Sequence, residues 1–226
     1  MIHPEVLARW AAFSEPLEGR IPWLYLDVKG LPTVGVGCLL DNPTASQAIP
    51  WSSADGGPAT ALDIVKDWRR VLAIGQTVGS APRHTASHYR APDGLHLSDV
   101  VIDAMMHRRL QANARTLALR FPAFPSWPWQ AQMGALSMAW AMGAGFPAKY
   151  PKWAWAAHRA HEIPAEWATC ARECFMHGDG LDRRNDANRR LFEEATTELP
   201  TKCKTCLAFY GADYQGGCMC GAVRIT

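Results

Sequence analysis

Residues Glu18–Leu40, EGRIPWLYLDVKGLPTVGVGCLL, decide how the rest of this chain is read. The run LPTVGVG alternates apolar with small or polar residues, the period of a half-buried strand. Gly30, Gly35 and Gly37 stand where a tight turn, a bulge or a close backbone approach is needed. Upstream, Val6, Trp10, Phe13 and Leu17 recur at helical spacing, and Pro4 suits a first helical turn. The segment therefore reads as a helix end running into a short, glycine-punctuated β-hairpin that Asp41-Asn42-Pro43 stops. Along it Glu18, Asp27 and Thr33 stand at fixed offsets.

The order Glu18-Gly19, Tyr25-Leu26-Asp27, Gly30, Thr33-Val34-Gly35-Val36-Gly37 resembles the catalytic segment of phage-type lysozymes, the endolysin-like muramidases. Cys38 stands where that family usually carries His, a change that leaves the carboxylates untouched. The resemblance covers roughly 5–45 and 95–195. It implies an α+β, mainly α-helical chain with a lysozyme-like two-lobed fold and a small β-hairpin lobe. The implied activity is a peptidoglycan hydrolase that cleaves, with inversion, the β-1,4 bond between N-acetylmuramic acid and N-acetylglucosamine. The alternatives are a lytic transglycosylase and a catalytically inactive peptidoglycan-binding module.

Cleaving a glycosidic bond requires a proton for a poor leaving-group oxygen and a nucleophile on the opposite face of the sugar. Two carboxyl groups must therefore behave differently at one pH. A Glu packed against Trp23, Leu24 and Val34 would be desolvated and keep its proton, whereas an Asp on a solvated hairpin would stay ionised. Inverting enzymes hold the two roughly 6.5–9.5 Å apart, leaving room for a water. By resemblance Glu18 is the general acid, Asp27 the base or electrostatic partner, and Thr33 the group that positions the water. Glu15 is a decoy: its spacing to Asp27 does not fit, and Pro16 is expected to disturb the helix between Glu15 and Glu18.

Composition sets the limits. With 226 residues, 48% hydrophobic and 19% charged, the chain can bury one substantial core with a small appendage. A net charge of +2 is too small to argue for nucleic acid, though it suits an anionic cell-wall polymer. Most of the ten Trp are expected in helix packing rather than on sugars. The start, MIHPEVLARWAAF, has no signal-peptide pattern, and no run reaches the roughly 18 apolar residues of a membrane span. A cytoplasmic product acting on the periplasm or cell wall of a target bacterium would need a holin or a secretion apparatus. It would work as a phage endolysin or a secreted antibacterial effector, the latter with an immunity protein as partner.

Residues 1–197 are assigned to the catalytic domain, with an insertion at about 43–94, and 198–226 to a Cys-rich tail. The insertion is rich in Pro, Gly, Ser and Ala, with one helical island from Pro58 to Ala73; it would shape substrate access or be a plain loop. His84 and His88 lie four apart among Pro and Ala, without a nearby acid or thiol, and make only a weak metal pair. Helices are expected from Ser98, as N-cap, to Arg120, from Gln130 to Met142, from Trp153, and from Ala165 to Met176. Gln132 and the run Ala139–Gly143 look like the central buried helix of the resembled family, with Ala141 where Asn is frequent.

Gly180, Leu181, Arg183, Arg184, Leu191 and Phe192 resemble that family's C-terminal signature, in which Arg184 would pair with the catalytic Glu. Asn188 stands in place of the signature's Glu. Cys170 and Cys174, one turn apart, are expected to be buried. In the tail Cys203, Cys206, Cys218 and Cys220 could ligate one structural zinc, close two disulfides in an oxidising compartment, or stay free. The proposed hydrolysis itself needs no cofactor.

Overall fold

A computed structural model of the chain describes residues 1–27, 29–77, 85–197, 201–202 and 209–210. The protein is mainly helical with a small three-stranded antiparallel sheet. Its residues group into two compact units, Ala12–Arg109 and Met1–Ala11 with Leu110–Thr226. The division falls inside α1 (Pro4–Glu18) and α4 (Asp99–Arg120), so each of these helices contributes to both units.

In the Ala12–Arg109 unit, β1 (Ile21–Leu26), β2 (Pro32–Gly35) and β3 (Cys38–Leu39) form the sheet in that order. Tyr25 lies opposite Thr33 and Leu26 opposite Pro32, with a bulge between Ile21 and Tyr25. Leu24 and Leu26 point inward, as alternation requires, whereas all of β2 is buried. The β1–β2 turn is closed by the Asp27 N–H donating to Leu31 O at 3.0 Å and the Gly30 N–H donating to Asp27 O at 2.9 Å. Gly30, at φ +75°, occupies the left-handed region this turn requires.

The Pro-, Gly- and Ser-rich stretch after the sheet is more ordered than its composition suggests. It forms α2 (Pro43–Gln47), capped by the Asn42 side chain, and α3 (Ala61–Thr77), which packs on β1 and β2. Helix α3 starts three residues later and runs four residues further than the expected island, and α2 was not expected at all. Ser52 exchanges backbone hydrogen bonds with His96 at 2.9 Å, bringing the segment back beside the start of α4. Gly75 sits so close to the sheet that a Cβ there would lie 2.3 Å from Leu26 Cδ1. The indoles of Trp23, Trp51 and Trp68 donate to the carbonyls of Ala86, Ser46 and Leu40 at 2.8, 2.9 and 3.0 Å. Trp23, expected against Glu18, is also stacked by Arg90. Arg20 gathers Glu15, Asp99 and Asp103 at 2.8–2.9 Å, tying the end of α1 to the start of α4.

Two expectations need correction. Pro16 does not end the first helix, which continues through it to Glu18; it falls in the last turn, where only one internal hydrogen bond is forfeited. Helix α7 (Glu166–Glu173) stops before Met176, whose N–H and C=O are both taken by the Asn185 amide at 2.9 Å and so are not free for helical bonds.

The other unit is built on α5 (Trp129–Met142), buried from Gln130 to Trp140. Helix α8 (Asp182–Ala195) packs on α5, α7 packs on α8, and α6 (Pro151–Arg159) packs on α7. Phe192 reaches over Gly134 so tightly that a Cβ there would meet its ring at 2.8 Å. Trp127, Trp153, Trp167, Phe121, Phe124 and Phe146 complete the core, each 2% exposed or less. Fully buried Gln132 accepts from the His3 N–H at 2.9 Å and donates to Phe124 O at 3.0 Å, pinning the N-terminus and the Pro-rich loop to α5. Cys170 and Cys174 are buried, as the helical spacing suggested. Beyond them, β4 (Thr201–Lys202) pairs with β5 (Phe209–Tyr210). The four tail cysteines and His84 lie outside the described residues. No described helix is long and apolar enough to cross a membrane.

Candidate active site

The acids singled out in the sequence both belong to the sheet-bearing unit. Glu18 is the last residue of α1 and half-buried. Gly19, at φ +75°, ends the helix there by donating its N–H to Glu15 O at 2.8 Å. Glu15 is engaged elsewhere, by Arg20.

Asp27 closes β1. Its Oδ1 accepts the backbone N–H of Lys29 at 2.8 Å and of Leu31 at 2.9 Å, an Asx-type arrangement that fixes the turn. Thr33, only 4% exposed, donates its hydroxyl to Leu31 O at 2.9 Å. With that proton committed, the Oγ1 lone pairs are oriented to accept.

What brings these groups together is Tyr25, directly across the ladder from Thr33 and so on the same face of the sheet. Its phenol is pushed up to about 12, by burial first and then by the negative charges of Glu18, Asp27 and Cys38. Both candidate carboxylates therefore lie within electrostatic range of one hydroxyl that stays protonated at neutral pH. Two acids within electrostatic range of a neutral donor, with a threonine hydroxyl on the next strand, can bind a small polar molecule and pass it a proton.

The β2–β3 turn adds the cation. Arg109, half-buried in α4, donates from Nη1 to Gly37 O at 2.6 Å. It also bears on the neighbouring thiol. Burial pushes Cys38 up, the Arg109 charge and hydrogen bond pull it back, a backbone hydrogen bond at Val36 also lowers it, and Glu18 raises it. Glu18, Tyr25, Asp27, Thr33, Cys38 and Arg109 thus form one cluster.

Arg184 belongs to the other unit. It is 4% exposed and donates to Ser137 Oγ at 3.2 Å, fastening α8 to α5. A cleft in the same unit is lined by Arg172, Asp182, Asp186 and Arg189 around Phe175, with Arg189 and Asp186 paired at 3.3 Å.

Sequence reasoning quoted Tyr25 and Cys38 without giving them a part, and missed Arg109. A signal for Arg109 existed. It stands seven residues after Ile102 and three after Met106, on the stripe of α4 that buries both, where a charged side chain needs a partner. No metal-binding group of three or more His, Cys, Asp or Glu exists among the described residues. No family model matches the chain, and no curated protein does so either.

Proposed function

We propose that this protein is a phage-type, lysozyme-like peptidoglycan hydrolase, a muramidase cleaving the β-1,4 N-acetylmuramic acid to N-acetylglucosamine bond with inversion. The observation that carries the reading is that Glu18 and Asp27, singled out by their resemblance to the phage-type segment, both raise the Tyr25 phenol electrostatically, with Thr33 opposite Tyr25 on the ladder.

In the proposed reaction Glu18 delivers its proton to the glycosidic oxygen as the bond to the anomeric carbon breaks. A water, its hydrogens accepted by the Asp27 carboxylate and the Thr33 hydroxyl oxygen, attacks the opposite face. The Thr33 hydroxyl suits this task because its own proton is held by Leu31 O. Asp27 takes the water's proton, and the sugar leaves with a reducing end. Delivery to the wall, as a secreted antibacterial effector or a phage endolysin, would be read from an adjacent immunity gene or holin gene.

Substituting Glu18→Gln removes the proton donor and keeps the shape. Turbidity loss on purified cell walls should fall about 10²- to 10⁴-fold with the circular dichroism spectrum intact. Full activity in that variant would refute the acid assignment.

A second reading has one specific observation in its favour. The two backbone N–H bonds to Asp27 Oδ1 would explain this residue as a turn former, as in a wall-binding module without turnover. Mass spectrometry of treated peptidoglycan separates the outcomes. Reducing ends mean hydrolysis, anhydro ends lytic transglycosylation, and no release binding alone.

A further inference from the structure

We infer that Arg109 is the positioning residue of this site, a clamp from α4 that fixes the Gly35–Cys38 turn and so the strand that carries Thr33. The inference rests on the hydrolase reading for the word site; the clamp itself rests on geometry.

The turn is short and lightly tied. Strand β3 is two residues long and pairs with β2 at Thr33–Leu39 and Val34–Cys38, with the Leu40 N–H donating to Pro32 O at 2.8 Å beyond them. Gly35 and Gly37 both sit at positive φ, +66° and +67°, so the turn is built from residues with the greatest backbone freedom to lose. Gly35 lies against α4, where an added Cβ would be 3.5 Å from Ile102 Cγ2. Seven residues along the same helix, Arg109 reaches the Gly37 carbonyl at 2.6 Å. One helix thus holds the turn at both ends, by contact at Gly35 and by a charged hydrogen bond at Gly37. Because Thr33 pairs with Tyr25 on one side and Leu39 on the other, displacement of this turn is transmitted to the Thr33–Tyr25 pair.

The cation also sets the local charge. The groups that bear on Cys38 are Arg109 from α4 and Glu18 from α1, and Cys38 in turn bears on the Tyr25 phenol from β1. The thiol is therefore a reporter for Arg109 inside the cluster, independent of turnover.

Arg109→Met and Arg109→Lys separate the roles. Alkylation of Cys38 by iodoacetamide, followed across pH by peptide mapping so that the other six cysteines do not contribute, gives the thiol's midpoint. In Arg109→Met that midpoint should rise, since the positive charge that favoured the thiolate is gone. Turnover on cell walls should fall about tenfold or more, through kcat rather than KM, because the positioned water and not the glycan contact is disturbed. Arg109→Lys should keep the midpoint and lose part of the turnover, since a point charge does not reproduce the guanidinium's fixed reach. If Arg109→Met does not fold, the Lys variant decides alone: full turnover there overturns the clamp. So does an unchanged Cys38 midpoint in folded Arg109→Met. If the unaltered protein releases no muropeptides, the hydrolase reading falls, and the Cys38 midpoint still decides whether the Arg109 cation lies against the β2–β3 turn.

Discussion

The two units hold their tryptophans in opposite ways. In the sheet-bearing unit the indoles of Trp23, Trp51 and Trp68 each donate to a backbone carbonyl. In the helical unit Trp127 and Trp153 are buried with no partner for Nε1 among the described residues, and spend their surface on other rings. Trp127 meets Trp167 at 4.9 Å, and Trp153 meets Phe146 at 4.9 Å, between centroids. An unpaired buried N–H costs about 1–3 kcal/mol, which long helices flush with aromatic area can offset. Strands of six, four and two residues have no such reserve. They are held by directional ties, and directional ties are what fix distances between reacting groups. The candidate chemistry sits in the unit whose stability is local and geometric, not in the one whose stability is diffuse.

Breaking the aromatic side should have the largest effect. Phe192→Ala removes the ring that stacks on Trp167 and covers Gly134, and should cost about 3–5 kcal/mol, read as a shift in the urea midpoint. A loss under about 1 kcal/mol would mean the helical unit does not depend on that core. Next comes Arg20→Met, which leaves Glu15, Asp99 and Asp103 without their common partner. Because Asp99 is 84% exposed and Asp103 48%, solvent screening limits the loss to about 1 kcal/mol. That loss should shrink in 1 M NaCl, where the screening length is about 3 Å; a salt-independent loss would assign Arg20 to packing instead. The smallest change sharpens the comparison from the other side. Asn188 is fully buried on α8, and neither end of its amide has a partner among the described residues. Asn188→Leu should therefore be neutral or stabilising by about 1 kcal/mol in the same denaturation assay. A large loss would reveal a bound water at that amide.

Much of the helical architecture was legible from residue order. Val6 and Trp10 mark the face of α1, and the apolar run from Gln130 marks α5, because helical periodicity is a local property that any window of the chain displays. The glycines at 30, 35 and 37 announced turns for the same reason, since a positive φ selects its residue wherever it occurs. Glu18, Asp27 and Thr33 were singled out through the resemblance of their segment to phage-type lysozymes, which also implied the mainly helical class with a small β-hairpin that the structure shows as a three-stranded antiparallel sheet.

Tertiary structure alone decided what the Pro- and Ser-rich stretch after Leu40 does. Its composition spells a loop, yet Ser52 reaches His96 and Gly75 lies against Leu26, contacts between residues more than forty apart that no window contains. It alone brought Arg109 to Gly37, across seventy-two positions, and put Tyr25 within the field of two acids. The sequence determined which elements form, because hydrogen bonding and periodicity within an element are settled by near neighbours. Which charges meet was left to the packing of those elements, where burial forces each polar group to find a partner wherever the fold has put one.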